Sequence, residues 1–423
     1  MRFDTPLPID DVLDELRAAL VRGNAAVLVA PPGAGKTTRV PLALLDAPWL
    51  AGAKILVLEP RRIAARGAAE RMAQTLGERV GETIGLRARL ASKVGPRTRI
   101  EVVTEGVFTR MILDDPELHG IGLVLFDEFH ERSLDADLGL ALALDMQGAL
   151  RPDLRIMPMS ATLDGARVAR LLGGAASPPP PLSPSDGEGI AERQTSGFPP
   201  PPPPTPPRSS PGDAPHRRGE GNGVPVIASE GRAYPVETRY LGRDATRRIE
   251  DQVTDAVMKA LRAEPGSLLV FLPGQGEIAR VAERLAERID DPATTLAPLY
   301  GALDMAAQDR ALQPARQGTR KVVLATSIAE TSITIEGVRV VIDCGLARVP
   351  RYEPDVGVTR LETVRVSRAA ADQRRGRAGR TEPGVCYRLW DEPQTASLMP
   401  WPEPEIRSAD LAGLLLDCAE WGA

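Results

Sequence analysis

The sequence predicts an α/β chain with two parallel sheets in tandem, each covered by helices. Three observations carry that prediction. Short apolar runs alternate with helical patterns, as parallel sheets require when every crossover returns over a face. The alternation occurs twice, on either side of a stretch dominated by Pro, Ser and Gly. The first series also contains an apolar run that opens into a glycine-rich loop and then a helix, the order used by phosphate-binding sites.

Composition bounds the function. At 423 residues the chain has room for two or three domains, each with its own core. A net charge of −5 gives no global basic field, so any nucleic-acid contact has to come from local arginine clusters. With 4% aromatic residues, base stacking is not the main binding device. Cys344, Cys386 and Cys418 are widely spaced and form no C-x-x-C pair, which points away from a disulfide framework or a zinc site and fits a reducing cytoplasm. The N-terminus lacks the apolar core of a signal peptide, and no run reaches the ~18 apolar residues of a membrane helix, so no membrane partner is expected.

In chain order, Val12, Leu13, Leu16 and Leu20 share a helical face that Gly23-Asn24 ends. Residues 25–29 suit a buried strand, and Ala30-Pro-Pro-Gly-Ala-Gly-Lys-Thr37 reads as the phosphate loop. Gly33 and Gly35 let backbone N–H groups face phosphates, Lys36 reaches the β and γ oxygens, and the Thr37 hydroxyl helps hold Mg²⁺. Ala34 and Thr38 complete the expected nucleotide-binding run. Ala30 stands where G-x-x-x-x-G-K-[ST] has its first glycine, so a residue with a Cβ has to make the entry turn. Taken alone, the loop is also compatible with a plain αβ turn carrying a surface lysine. A helix follows through Val40, Leu42, Leu44 and Leu45 despite Pro41.

Further strands are expected at 55–58, 100–103, 123–126 and 156–159. The run Leu123-Val-Leu-Phe-Asp-Glu-Phe-His130 ends in adjacent carboxylates. Asp127 suits Mg²⁺, and Glu128 beside it suits orienting and deprotonating a water that attacks a γ-phosphate. The expected metal set is therefore Thr37, Asp127 and Glu128, with His130 placed to sense the nucleotide. A solvated Asp-Glu pair is the plain alternative, which the upstream phosphate loop disfavours.

Residues 175–223 cannot build a packed core and read as a disordered or polyproline-type insertion. Val224-Pro-Val-Ile227 reads as the last strand of the first domain. A second series begins near Tyr234, with strands at 268–272, 296–299, 321–325, 338–342 and 385–389 and an amphipathic helix at 277–289; residues 358–366 alternate as a hairpin would. A helix is expected from about Ser408, and its Leu411, Leu414, Leu415 and Leu416 leave apolar surface to bury, which reads as a fragment or a truncated product. The expected divisions are 1–174, 175–223, 224–233, 234–391 and 392–423.

Gln373-Arg-Arg-Gly-Arg-Ala-Gly-Arg380 gathers guanidinium groups on a short segment. Two glycines are costly in a merely solvated basic helix, so close approach to another surface is expected. If that surface is the nucleotide of the first domain, Arg377 and Arg380 act as arginine fingers.

With these motifs in order, the chain resembles the superfamily 2 helicases of the DEAH/RHA group, and within it the bacterial HrpB type. Lys36-Thr37 resembles motif I, Glu59-Pro-Arg-Arg-Ile-Ala-Ala65 motif Ia, Thr104-Glu-Gly106 motif Ib, Asp127-Glu-Phe-His130 motif II and Ser160-Ala-Thr162 motif III. Phe271-Leu-Pro-Gly274 resembles motif IV, Ala325-Thr-Ser-Ile-Ala-Glu-Thr-Ser332 motif V and residues 373–380 motif VI. The resemblance implies two RecA-like domains, the start of a truncated winged-helix region after residue 391, ATP and other NTPs with Mg²⁺ in the cleft, and single-stranded RNA or DNA across the top. It further implies that Arg61, Arg62, Thr104 and Thr326 touch the strand's backbone and that Ser160 and Thr162 couple hydrolysis to movement. Gln373 would help position the attacking water, and Arg71 and Glu336 would meet the base and ribose. Phe129 replaces the Ala of the family's motif, and Leu312 stands where related enzymes place an aromatic against the base. The reading is a nucleic-acid-dependent NTPase that translocates or unwinds 3′ to 5′. A nucleotide-gated clamp without unwinding is the alternative; a phosphotransferase or transport ATPase would leave residues 373–380 without a role.

Overall fold

A computed structural model describes residues 3, 5–89, 91–161, 165–174, 223–231, 234–330 and 335–423. The expected insertion up to residue 222, Thr162 and the last two residues of motif V, 331–332, lie outside the described residues.

Among the described residues, the first sheet contains β1 (Val27–Val29), β2 (Lys54–Glu59), β3 (Ile84–Ala88), β4 (Ala91–Lys93), β5 (Ile100–Thr104), β6 (Ile121–Phe126), β7 (Arg155–Ser160) and β8 (Val226–Ala228). Their order is β4-β3-β5-β2-β6-β7-β1-β8, parallel throughout except for the β3–β4 pair. The central strands are short apolar runs buried on both faces, as expected where helices cover both sides. On one face lie α1 (Leu13–Arg22), α2 (Lys36–Leu44) and α3 (Arg62–Thr75). On the other lie α4 (Glu105–Asp114), α5 (Leu134–Ala149) and α6 (Gly165–Gly174). Strand β8 pairs with β1 in register, as the Val-Pro-Val-Ile run led us to expect.

The second sheet contains β9 (Val236–Tyr240), β10 (Ser267–Phe271), β11 (Thr294–Leu299), β12 (Arg320–Ala325) and β13 (Val338–Asp343). A hairpin of β14 (Leu346–Glu353) and β15 (Val358–Arg365) follows, and β16 (Gly384–Arg388) closes the sheet in the order β11-β12-β10-β13-β16-β9. Helices α7 (Ile249–Ala263) and α8 (Gln275–Arg288) cover one face, and α9 (Met305–Leu312) packs against β11. Helix α10 (Arg368–Gly376) carries the start of the arginine-rich segment.

The hairpin expectation needs a correction. Val358–Arg365 supplies one strand of it, and the partner is β14, separated from β13 by two residues. The last helix, α11 (Ala412–Trp421), also starts later than Ser408. It folds back onto the first sheet's helices: Leu414, Cys418 and Trp421 pack beside the α4–α5 cluster, and Trp421 Nε1 donates to Asp145 at 2.8 Å. Leu415 and Leu416 remain 70% and 71% exposed.

In a parallel sheet, loops leaving the carboxyl ends of the strands collect along one edge, where ligands bind. Here that edge carries the loops after β1, β2, β5, β6 and β7, so five separate sequence motifs meet there.

Candidate nucleotide site between the two sheets

The phosphate loop leaves β1 at Ala30, whose N–H donates to Ser160 O at 2.9 Å. Only Gly33 (φ 88°) and Gly35 (φ 99°) in this loop take left-handed backbone, so Ala30 makes the entry turn without strain. Gly35 is further required because a Cβ there would come 2.7 Å from Leu7 Cδ1. Helix α2 begins at Lys36, and its N-terminal N–H groups and partial positive charge open toward the loop.

Lys36 is buried between two carboxylates, with Nζ 2.7 Å from Glu128 Oε1 and 3.3 Å from Asp127 Oδ1. Burial acts to lower the ammonium's pKa, but the fields of Asp127 and Glu128 outweigh it and hold it above its ordinary value. Burial likewise acts to raise Glu128, and the opposing charge of Lys36 wins, bringing it down to about 2. Asp127 shares the same ammonium at longer range, and burial pushes it up. Glu128, which makes the shorter contact with the ammonium, is the ionised carboxylate of the pair. Thr37 donates its hydroxyl to Asp127. A hydroxyl and a carboxylate facing each other at a helix start are hard oxygen donors that fit Mg²⁺.

Glu128 itself adopts left-handed backbone (φ 50°), uncommon for a residue with a Cβ, and its N–H donates to Asp127 Oδ1 at 2.8 Å. Phe129 points inward and stacks edge-on against Phe126, so the aromatic that replaces alanine fills the core and leaves the carboxylates in place. His130 Nδ1 accepts from Ala161 N–H at 3.3 Å, and its Nε2 lies 2.6 Å from the Gln373 side-chain amide, a contact that links the two sheets. Burial lowers its pKa below the usual histidine range.

The second sheet supplies the facing wall. A Cβ on Gly33 would sit 3.8 Å from Arg380 Nε, so the last arginine of the segment lies against the phosphate loop. Burial lowers the Arg380 pKa to about 10 while Glu128 opposes the shift and Arg71 adds to it. Arg377 is buried too, donates to the Glu330 carbonyl, and lies within the field of Glu128. Arg374, which sequence reasoning passed over, is fully buried. It bonds Glu330 and Asp343 (2.7 Å) and stacks over Phe271 at 4.9 Å. A solvated basic helix is thereby excluded. Of the two glycines, only Gly379 needs its lack of a side chain, and the reason is local: a Cβ would come 2.6 Å from Tyr234 O, whereas Gly376 faces open space. The close approach thus serves packing on the segment before β9, a correction to the expected role.

Comparison with known proteins places the chain in a family. The family described as DEAD/DEAH box helicase matches residues 14–171, and that described as helicase conserved C-terminal domain matches residues 252–382. The ATP-dependent RNA helicase HrpB of Escherichia coli is 49% identical over 98% of this chain. A crystal structure of the E. coli DEAH/RHA helicase HrpB superposes with a TM-score of 0.83 at 48% identity, covering 99% of this chain and 47% of that one. The chain belongs to the DEAH/RHA helicase family. The pre-mRNA-splicing factor ATP-dependent RNA helicase prp22 of Schizosaccharomyces pombe is 33% identical over 97% of the chain. This DEAH/RHA member spans 45% of the length of HrpB and 31% of prp22.

The remaining expected residues of this DEAH/RHA member distribute unevenly. Ser160 is buried at the end of β7, and Thr38 sits in the first turn of α2. Thr104 and Thr326 stand at the ends of β5 and β12, and Arg62 is exposed at the start of α3. Arg61 instead crosses between the sheets: Nη1 donates to Ser327 O at 3.0 Å and Nη2 to Glu131 at 2.9 Å. Arg71 and Glu336 are both exposed, Arg71 on α3 and Glu336 in the turn before β13. Leu312 ends α9, half-buried against the second sheet. Cys344 and Cys386 are buried thiols pushed up to about 12 by that burial.

Proposed function

We propose that this chain is the ATP-driven core of a nucleic-acid motor. It hydrolyses the β–γ phosphoanhydride of ATP and other NTPs and steps 3′ to 5′ along single-stranded RNA or DNA in the cytoplasm. The observation that carries the reading is that Arg380, from the second sheet, lies against Gly33 of the first sheet's phosphate loop.

The loop N–H groups at Gly33 to Thr38 and the Lys36 ammonium bind the triphosphate. Mg²⁺, held by Thr37 and Asp127 with Glu128 beside them, supplies neutralisation of phosphate charge. Lys36 cannot serve both Glu128 and a phosphate at full strength. As it turns to the β and γ oxygens, the field holding Glu128 down weakens, and burial raises its pKa toward that of a competent base for water. Gln373 and His130, already in contact, position that water and report closure to the second domain. Arg377 and Arg380 stabilise charge on the transferring phosphoryl group. Arg62, Thr104 and Thr326, at strand ends and helix starts on the ligand-binding edge, grip backbone phosphates, which carry no sequence information and therefore suit a motor.

ATP turnover measured with and without single-stranded RNA tests this directly. We expect stimulation by the strand, and a loss of roughly 10³ to 10⁵ in kcat for Arg380→Ala with nucleotide affinity much less affected. Strand binding without stimulation would instead make the chain a nucleotide-gated clamp, and an unchanged kcat would remove Arg380 from the site.

A further inference from the structure

The contact that the proposed motor leaves unexplained is the one between Arg61 and Glu131. Arg61 sits at the entrance to α3, and its guanidinium forks between the two sheets, one nitrogen on Ser327 O and the other on Glu131 Oε2. Its side chain is 25% exposed and that of Glu131 19%, so a strand phosphate can reach the pair from solvent. Ser327 directly follows Thr326 at the end of β12, on the same edge.

Glu131 closes a short 3₁₀ turn, Phe129–Glu131, that begins right after Glu128. Left-handed, non-glycine backbone brackets that turn at Glu128 (φ 50°) and Arg132 (φ 54°), so its shape is imposed by the contacts around it. Arg132 is anchored by a two-point bond to Asp137, at 2.8 and 2.9 Å. His130 is anchored by Ala161 and Gln373. Glu131 is tied to Arg61, whose charge also lies in the fields of Glu330, Glu128 and Glu105.

We propose that Arg61 and Glu131 form a strand-operated catch on the loop that carries Glu128. Without nucleic acid, Arg61 holds Glu131 and with it the loop. A backbone phosphate competes for the same guanidinium with the same unit charge as a carboxylate, so the exchange is nearly balanced and reversible. Once Arg61 turns to the strand, its hold on Glu131 is lost and the Phe129–Glu131 turn resets Glu128 to activate the attacking water. By linkage, whatever resets Glu128 also favours the strand. Glu131 is therefore a positioning residue acting through the loop. The inference rests on the nucleic-acid reading above.

The test pairs Glu131→Gln with Arg61→Ala. Binding of a fluorescent single-stranded oligoribonucleotide is measured without nucleotide, and ATP turnover with and without the strand. Glu131→Gln is expected to bind the RNA roughly two- to fivefold tighter, in line with a partly exposed ion pair, and to show a smaller ratio of stimulated to basal turnover. In the Arg61→Ala background the same change should alter affinity no further. Glu131→Asp, which keeps the charge but shortens its reach, should fall between wild type and Gln, and serves if the Gln variant folds poorly. Equal tightening in both backgrounds would reduce the effect to a lost negative charge and overturn the catch. So would wild-type affinity and stimulation in Glu131→Gln. A wild-type chain that fails to respond to RNA at all would overturn the motor reading itself, an outcome readily told apart from the others.

Discussion

Lys36, Asp127 and Glu128 form a buried arrangement of one positive and two negative groups, and its chemistry follows from which carboxylate the ammonium prefers. Glu128 has the 2.7 Å contact and stays ionised; Asp127 also accepts from Thr37. Glu128→Gln keeps an oxygen for Lys36 but removes the group that can take a proton from water. We expect nucleotide binding to survive and kcat to fall by roughly 10² to 10⁴, the range for a positioned general base. Normal turnover in that variant, measured by phosphate release, would assign water activation elsewhere. The two glycines of the phosphate loop, Lys36 and the Asp-Glu pair were readable from residue type because each demand is local. Arg374 was not: among several neighbouring arginines, nothing in the sequence marks the one that will be buried against Asp343 and Phe271.

At the scale of elements, α4 and α5 meet at an acidic junction. Glu105, the first residue of α4, is buried, and Ser133, the N-cap of α5, bonds it at 2.5 Å. Burial pushes the Glu105 carboxyl up to about 8, against the Ser133 hydrogen bond and with help from Glu131, Asp135 and Glu405. A raised carboxyl binds more protons folded than unfolded. Its stabilising contribution is thus complete below the unfolded value near 4.5 and is lost as pH rises through about 8. Glu105→Gln removes that dependence, so its Tm relative to wild type should climb between pH 5 and pH 9 and level off above. A constant difference across that range would place Glu105 in an ionised state throughout. Elements themselves were legible where they are buried runs, such as β6 and β12. The edge strand β9 and the hairpin strand β14 were not, because half-exposed strands carry no continuous apolar signal. Strand β3 was hidden for another reason: it contains Gly85, whose Cβ would meet Thr98 at 2.7 Å, and Arg87, which pairs with Glu101 at 2.6 Å.

For the molecule as a whole, function turns on how the two sheets face each other. Beyond the nucleotide, Arg66 of α3 makes a two-point bond to Asp309 of α9 across the divide. Asp309 is about half exposed, so the pair is worth no more than ~1 kcal/mol and modulates closure without deciding it. Reversing either charge alone, Arg66→Asp or Asp309→Arg, should weaken strand-stimulated turnover a few-fold. Combining them should restore it, as a double-mutant cycle on a direct contact requires. Additive losses would mean that the two residues act apart. The sequence by itself determined the parallel α/β series, the phosphate loop and the carboxylate pair, because hydrophobic period, glycine backbone demands and residue chemistry act over a few positions. Only the tertiary structure decided that Arg380 lies against the phosphate loop, that Arg374 is spent inside its own domain, and that Arg61 holds Glu131. Those outcomes depend on the packing of elements tens to hundreds of residues apart, for which no local pattern exists.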